Sequence, residues 1–143
     1  MTTPKAEKPI CPSCGKQITH REGLGWCVDH QMSEKTLQDR VRARAKGRKW
    51  RVAHAGRGWV GDLETGEGQW VTQMPDGWPD LTLAKPGHRL IFMELKKEAE
   101  EPTPAQVEWL QLLNQCGAKA VVVKPSDLRE GRVNAILNTG SPL

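Results

Sequence analysis

Long apolar runs are missing from this 143-residue chain. No segment approaches the run of about 18 apolar residues that a membrane-spanning helix needs. The opening residues MTTPKAEKPI also lack the apolar stretch of an export signal. A cytoplasmic protein with no membrane partner is therefore expected. Hydrophobic residues make up 37% of the chain, enough for one core of about 100 residues with a small appendage. Acids are scarce where bases are dense: residues 35–57 hold nine Lys or Arg and a single acid, Asp39. A solvated helix face usually mixes signs. With a formal net charge of +4, this block is expected to face phosphate.

Cysteine is sparse too, at four residues, but its spacing is informative. Cys11 and Cys14 form C-x-x-C, and after twelve residues Cys27 and His30 form C-x-x-H. Two such pairs across a short polar loop are the pattern of a structural Zn²⁺ site. Gly15 suits the tight turn after the first pair. His20 is a lesser candidate for the fourth ligand. With no export signal a disulfide is disfavoured, and with all four positions filled by protein the ion has no open site for chemistry. So short a segment depends on its metal to fold. The leftover Cys116 is expected to be a small buried hydrophobe in a helix.

What organises the chain is the stretch GWPDLTLAKPGHRLIFMELK, residues 77–96. Leu81–Ala84 and residues 89–95 are two apolar runs around Pro86-Gly87, a strong turn signal that predicts an antiparallel hairpin. Asp80 lies six residues before that turn and Glu94 seven after it, so the carboxylates should face each other across the pair. Alternation sends Glu94 and Lys96 to one face, Met93 and Leu95 to the core. Two convergent carboxylates call for a cation between them. Hard oxygen ligands suit Mg²⁺ or Mn²⁺ with substrate phosphate, and an adjacent ammonium steadies developing negative charge. Phosphodiester hydrolysis is the reaction such a group would serve. The alternative is an ordinary amphipathic hairpin with a charged end.

Around this hairpin, Ser33 reads as the N-cap of a helix with Glu34 in its first turn, where the dipole favours an acid. Leu37, Val41 and Ala45 form the buried stripe and Gly47 the stop. Residues 50–53 read as a strand leading to His54. Residues 55–78 are rich in Gly and Trp, with a small hairpin near Thr65-Gly66. Its tryptophans either stack on unpaired bases or, as the favoured expectation, are buried by the hairpin itself. Thr103, Pro104 and Gln106 form a capping box opening a helix that buries Val107, Trp109, Leu110 and Leu113 and ends at Gly117. Residues 118–124 should form a central strand covered on both faces, parallel to the Glu94 strand through a crossover. A last helix is expected over residues 126–137, capped by Ser126.

GWPDLTL, IFMELK and TPAQVEWLQLL together resemble the PD-(D/E)XK nuclease superfamily, and within it the VRR-NUC branch of virus-type replication and repair nucleases. The resemblance implies an α/β, restriction-endonuclease-like core, a mixed central sheet flanked by helices, over residues 33–143, with residues 1–32 as a zinc-binding segment. It implies a metal-dependent DNA endonuclease of phage or prophage type, in a bacterial or phage-infected host, cutting branched, nicked or flapped DNA. Asp80 and Glu94 would hold the metal, Lys96 would activate water, and Gln106 matches the glutamine of the following helix. Glu34 becomes a further candidate ligand. His54, Arg40, Arg44, Arg48, Lys49 and Arg57 are candidates for DNA contact. A homodimer is a candidate assembly for gripping duplex DNA. The alternatives are a non-catalytic, zinc-containing DNA-binding accessory protein and a zinc adaptor that recruits a partner.

Overall fold

The computed structural model describes residues 10–12, 14–18 and 27–139; His20 lies outside them. Strands β1 (Arg51–His54), β4 (Leu81–Ala84), β5 (Ile91–Leu95) and β6 (Lys119–Val123) form one mixed sheet in the order β1-β4-β5-β6. The first two pairings are antiparallel and β5–β6 is parallel, as the crossover through helix α3 (Pro104–Gln115) requires. Helices pack on both faces of the sheet, and a short helix α1 (Val28–Gln31) precedes them in the chain. No helix among the described residues is long and apolar enough to cross a membrane.

Alternation along β5 builds two different covers. Ile91, Met93 and Leu95 join Leu81, Leu83 and Val123 in the main core. That core is sealed by Leu37, Val41 and Ala45 of helix α2 (Glu34–Gly47) and by Val133, Ile136 and Leu137 of helix α5 (Arg132–Thr139). Phe92, on the opposite face, packs with Ala120 and Leu110 of α3 in a smaller cluster that includes Trp78. β5 is therefore the doubly covered strand, with all five residues buried. The expectation of a central β6 is corrected: β6 lies at one end of the sheet among the described residues. Its apolar run reflects packing under α3 and the main core, not two strand neighbours.

Three further boundaries differ from the sequence expectation. β5 begins at Ile91 rather than at residue 89, because residues 85–90 are spent on the turn. Ser33 does cap α2, accepting a hydrogen bond from the Thr36 N–H, but Gly47 is still helical. The left-handed residue at the exit is Lys49, with φ 69°. The single helix over 126–137 is two, α4 (Pro125–Arg129) and α5, broken at Gly131, whose φ of 81° no helix accommodates. Asp127 accepts from the Lys124 N–H, placing the α4 cap two residues ahead of Ser126. Cys116 is not a buried hydrophobe but the exposed C-cap of α3.

The Gly/Trp segment forms a separate antiparallel hairpin, β2 (Arg57–Gly61) with β3 (Gly68–Thr72), pairing Trp59 with Trp70 across the strands. The expectation that it buries its own tryptophans is overturned: Trp59 is 37% exposed and Trp70 66%. Two strands alone have no second layer to cover a face. Trp78, beyond the hairpin, is packed edge-on against Phe92 and Trp109.

Candidate active site and metal-ligating cluster

Residues before and after the β4–β5 hairpin meet at its open end. The register pairs Leu81 with Met93, and continuing it places Asp80 opposite Glu94. Asp80 is locked there because its Oδ2 accepts a 2.8 Å hydrogen bond from the Leu95 N–H. The approach to Asp80 depends on Gly77. A Cβ at that position would lie 2.5 Å from the Ala105 backbone carbon, and its φ is +85°, so the chain can pass against the first turn of α3 only with glycine. This contact brings α3 alongside the site.

Glu94 points to the α3 face and is 3% exposed. Gln106 Nε2 donates to Glu94 Oε1 at 2.8 Å, while Gln106 Oε1 accepts from the Thr103 N–H at 2.8 Å. One side chain thus completes the capping box and fixes the carboxylate. Lys96 Nζ lies 3.8 Å from Glu94 Oε1, and the Lys96 backbone N–H donates to the Val123 carbonyl, holding the residue to β6. Glu94 Oε2 is buried with no hydrogen-bond partner. Burial, and then the charge of Asp80 and a side-chain hydrogen bond with it, push the Glu94 carboxyl up to about 8 against the opposing charge of Lys96.

Glu34, the first residue of α2, also faces this site. Its carboxyl lies above its ordinary range through desolvation and through a hydrogen bond shared with Glu100; Asp80 adds repulsion and Lys96 opposes it. Sequence reasoning missed Glu100, which sits in the charged run of residues 97–101 with nothing in its spacing to separate it from Glu98 or Glu101. Four carboxyls and one ammonium therefore converge, and among them Glu94 Oε2 is a buried oxygen without a hydrogen-bond partner.

The nominated basic residues do not form one surface beside these acids. Arg44 donates to the Leu128 carbonyl at 3.3 Å, and Arg48 Nε donates to Asn138 Oδ1 at 2.6 Å. These bonds tie α2 to α4 and α5. Arg40 and Lys49 are exposed, but α2 starts at the site and runs away from it, carrying Arg48 about 21 Å from Glu34 at 1.5 Å per residue. The Arg57 side chain lies outside the described residues. His54 is exposed at the end of β1, where the next N–H, of Ala55, donates to the Asp80 carbonyl.

At the N-terminal end, Cys11, Cys14, Cys27 and His30 bring one donor atom each to within 4.8 Å of one another, an arrangement that could hold a metal ion such as zinc. His30 Nδ1 is 2.8 Å from Cys27 Sγ and 3.4 Å from Cys11 Sγ. Cys11 and Cys27 are buried with Ile18 in their own small cluster. Burial is the main influence raising the Cys27 thiol to about 11, a cost that a ligated metal removes by displacing the proton. Next to His30, the buried Asp29 forms ion pairs with Lys16, at 3.6 Å, and with Arg129 of α4. The cluster is thereby fastened to the sheet-and-helix unit.

No protein-family model matches the chain, and no curated protein does. Among solved structures, a chain described as a VRR_NUC domain is similar, with a TM-score of 0.50 and 21% identity. The match covers 73% of this chain and 94% of that one. The architecture is thus a mixed α/β fold with a carboxylate-lined hairpin end, and it is the fold of a VRR_NUC domain.

Proposed function

We propose that the protein is a divalent-metal-dependent nuclease that hydrolyses phosphodiester bonds in DNA. The observation carrying this reading is the buried, partnerless Glu94 Oε2 beside Asp80, with Lys96 alongside. Asp80, Glu94 and, from the solvent side, Glu34 are the oxygen donors that would hold Mg²⁺ or Mn²⁺, a donor set suited to a hard ion that also keeps water and phosphate oxygens. When bound, such an ion supplies Lewis-acid polarisation of the phosphoryl group and acidifies water.

The chain's own groups do the remaining work. Gln106 clamps Glu94 Oε1 and so fixes the carboxylate, and the Leu95 N–H does the same for Asp80 through Oδ2. Lys96 offers an ammonium to the attacking water or to a non-bridging phosphate oxygen. Arg40 and Lys49 extend the phosphate contact along α2. The Cys/His cluster takes Zn²⁺ as a structural ion, so residues 1–32 act as an accessory segment and residues 33–143 as the nuclease core. A second copy would lengthen the grip on duplex DNA.

The test is a Mg²⁺ titration of cleavage over linear, nicked, flapped, four-way and single-stranded DNA, with Glu94→Gln and Lys96→Ala beside the unaltered chain. Metal-dependent cutting that both variants lose while DNA binding persists is the expected result. Equal cutting by either variant, or no cutting of any substrate at any metal concentration, overturns the reading.

A further inference from the structure

α3 covers only part of its face of the sheet. It packs over β5 and β6, whereas on β1 and β4 the same face carries small side chains. Ala53 pairs with Thr82 and Arg51 with Ala84, and Ala53, Ala84 and Arg51 are exposed. At one end of this shelf lies a cavity of about 600 Å³, lined by Ala53, His54, Gln73, Met74, Trp78 and Thr82 among others. It adjoins the candidate active site directly. Thr82 and Phe92 are paired, and the next pair on the same face, one strand repeat or about 7 Å away, is Asp80 and Glu94.

The lining says what would fit. None of the lining residues is Lys, Arg, Asp or Glu, so the cavity holds no fixed charge to favour a phosphate. Its walls are an indole, a thioether and methyl groups, with three polar side chains, His54, Gln73 and Thr82, placed to hydrogen-bond. The volume is that of a small-molecule site, and the mix of apolar wall and few polar groups suits a flat heteroaromatic ring. Among the described side chains, the shelf carries a cation in Arg51, two residues along β1 from Ala53, positioned for a backbone phosphate rather than for the cavity's occupant.

We infer that this cavity binds an unpaired nucleobase of the strand whose phosphate lies at Asp80 and Glu94, with Trp78 as its stacking wall and Arg51 holding the neighbouring phosphate. The inference rests on the nuclease reading for the strand's position but is measured by binding alone. A base inside a duplex is stacked on both sides and cannot enter, so the preferred DNA has an unpaired nucleotide next to the cut.

The experiment uses full-length Glu94→Gln protein to keep the DNA intact. Affinity is measured at fixed salt for a flapped oligonucleotide, the same flap with one abasic nucleotide moved along it, a blunt duplex and a nucleoside monophosphate. One abasic position near the junction should weaken binding roughly five- to a hundred-fold, the range for losing one base–aromatic stack. Ala53→Phe, which fills the cavity from an exposed position, should weaken binding of the intact flap comparably and make that abasic position silent. Equal binding at every abasic position, which needs no cavity variant, overturns the inference. So does a nucleoside monophosphate that binds as tightly as the flap, which would make the site one for free nucleotides. Base-dependent binding without metal-dependent cleavage by the unaltered chain would uphold the cavity and sink the nuclease reading; cleavage indifferent to the abasic position would do the reverse.

Discussion

Two groups of ligand-type side chains lie at either end of a short segment, His30 to one side and Glu34 to the other, and they are built on opposite plans. In the N-terminal cluster the four donors turn toward one another within 4.8 Å, two of the thiols buried, with Asp29 tying the group to Arg129. At the hairpin end, Glu94 has one oxygen held by Gln106 and the other buried without a hydrogen-bond partner, while Glu34 and Glu100 share a hydrogen bond nearer the surface. The first arrangement is soft and closed, the second hard and open. Closed tetrahedral sets hold structure together, and open oxygen sets leave room for water and phosphate. The segment between them, with Met32 packed on the main core and Ser33 capping α2, makes the closed cluster a brace for the open one.

The sharpest way to break this contrast is Glu94→Gln. On the proposed chemistry it should lower cleavage on the order of a thousand-fold, the upper range for losing one preorganised electrostatic group, in a single-turnover assay. A loss below about ten-fold would say that Glu94 is not at the reacting centre. Next in size is Gln106. Gln106→Ala should weaken Mg²⁺ binding about ten- to a hundred-fold, as loss of a group orienting a ligand does. Gln106→Glu retains the capping-box chemistry but sets a further carboxylate against Glu94 Oε1. If it weakens Mg²⁺ no less than alanine while restoring thermal stability, positioning and capping separate. If both variants bind Mg²⁺ normally, Gln106 is only a cap.

A strong thiol-competing chelator should release the closed cluster and make residues 10–31 protease-sensitive, with a several-fold loss of cleavage through Glu34. Unchanged proteolysis would mean that no ion holds the cluster. The pH dependence differs as well. Because the folded Glu94 carboxyl titrates near 8 and an unfolded one near 4.5, the folded state binds the extra proton between those values. Metal-free stability should therefore fall as pH rises from about 4.5 to 8, and Glu94→Gln should flatten that slope. A slope unaffected by the substitution would count against the burial of this group. Smallest is Trp70→Ala on the exposed hairpin, expected to change stability by no more than about 0.5 kcal/mol in a denaturant titration.

Much of the open site was legible in the sequence because it is set by strand parity. Six residues before a turn and seven after it put Asp80 across from Glu94, and alternation put Lys96 on the same side. The C-x-x-C and C-x-x-H spacing was equally direct. What was illegible depends on how elements pack. The bonds of Arg44 and Arg48 to Leu128 and Asn138 were not legible, because charge density along a helix does not say which face meets α4 and α5. β6 read as central because an apolar run records burial, not neighbours in a sheet. Glu100 is hidden in a run of like residues, and only the fold brings it to Glu34. Gly131, within a helical pattern, was the overlooked signal for the break between α4 and α5. The exposed tryptophans were misjudged because residues 57–72 form a two-stranded arm with no second layer over it among the described residues.

The central claim is that the unclaimed oxygen of Glu94 exists to hold a divalent ion shared with Asp80. Mg²⁺ binding measured by calorimetry at pH 7, in two buffers of different ionisation enthalpy, reports the protons released per ion. With Glu94 titrating near 8, the account expects close to one proton released by the unaltered chain and none by Glu94→Gln. Mg²⁺ bound without proton release, or with the same release by both proteins, would contradict it.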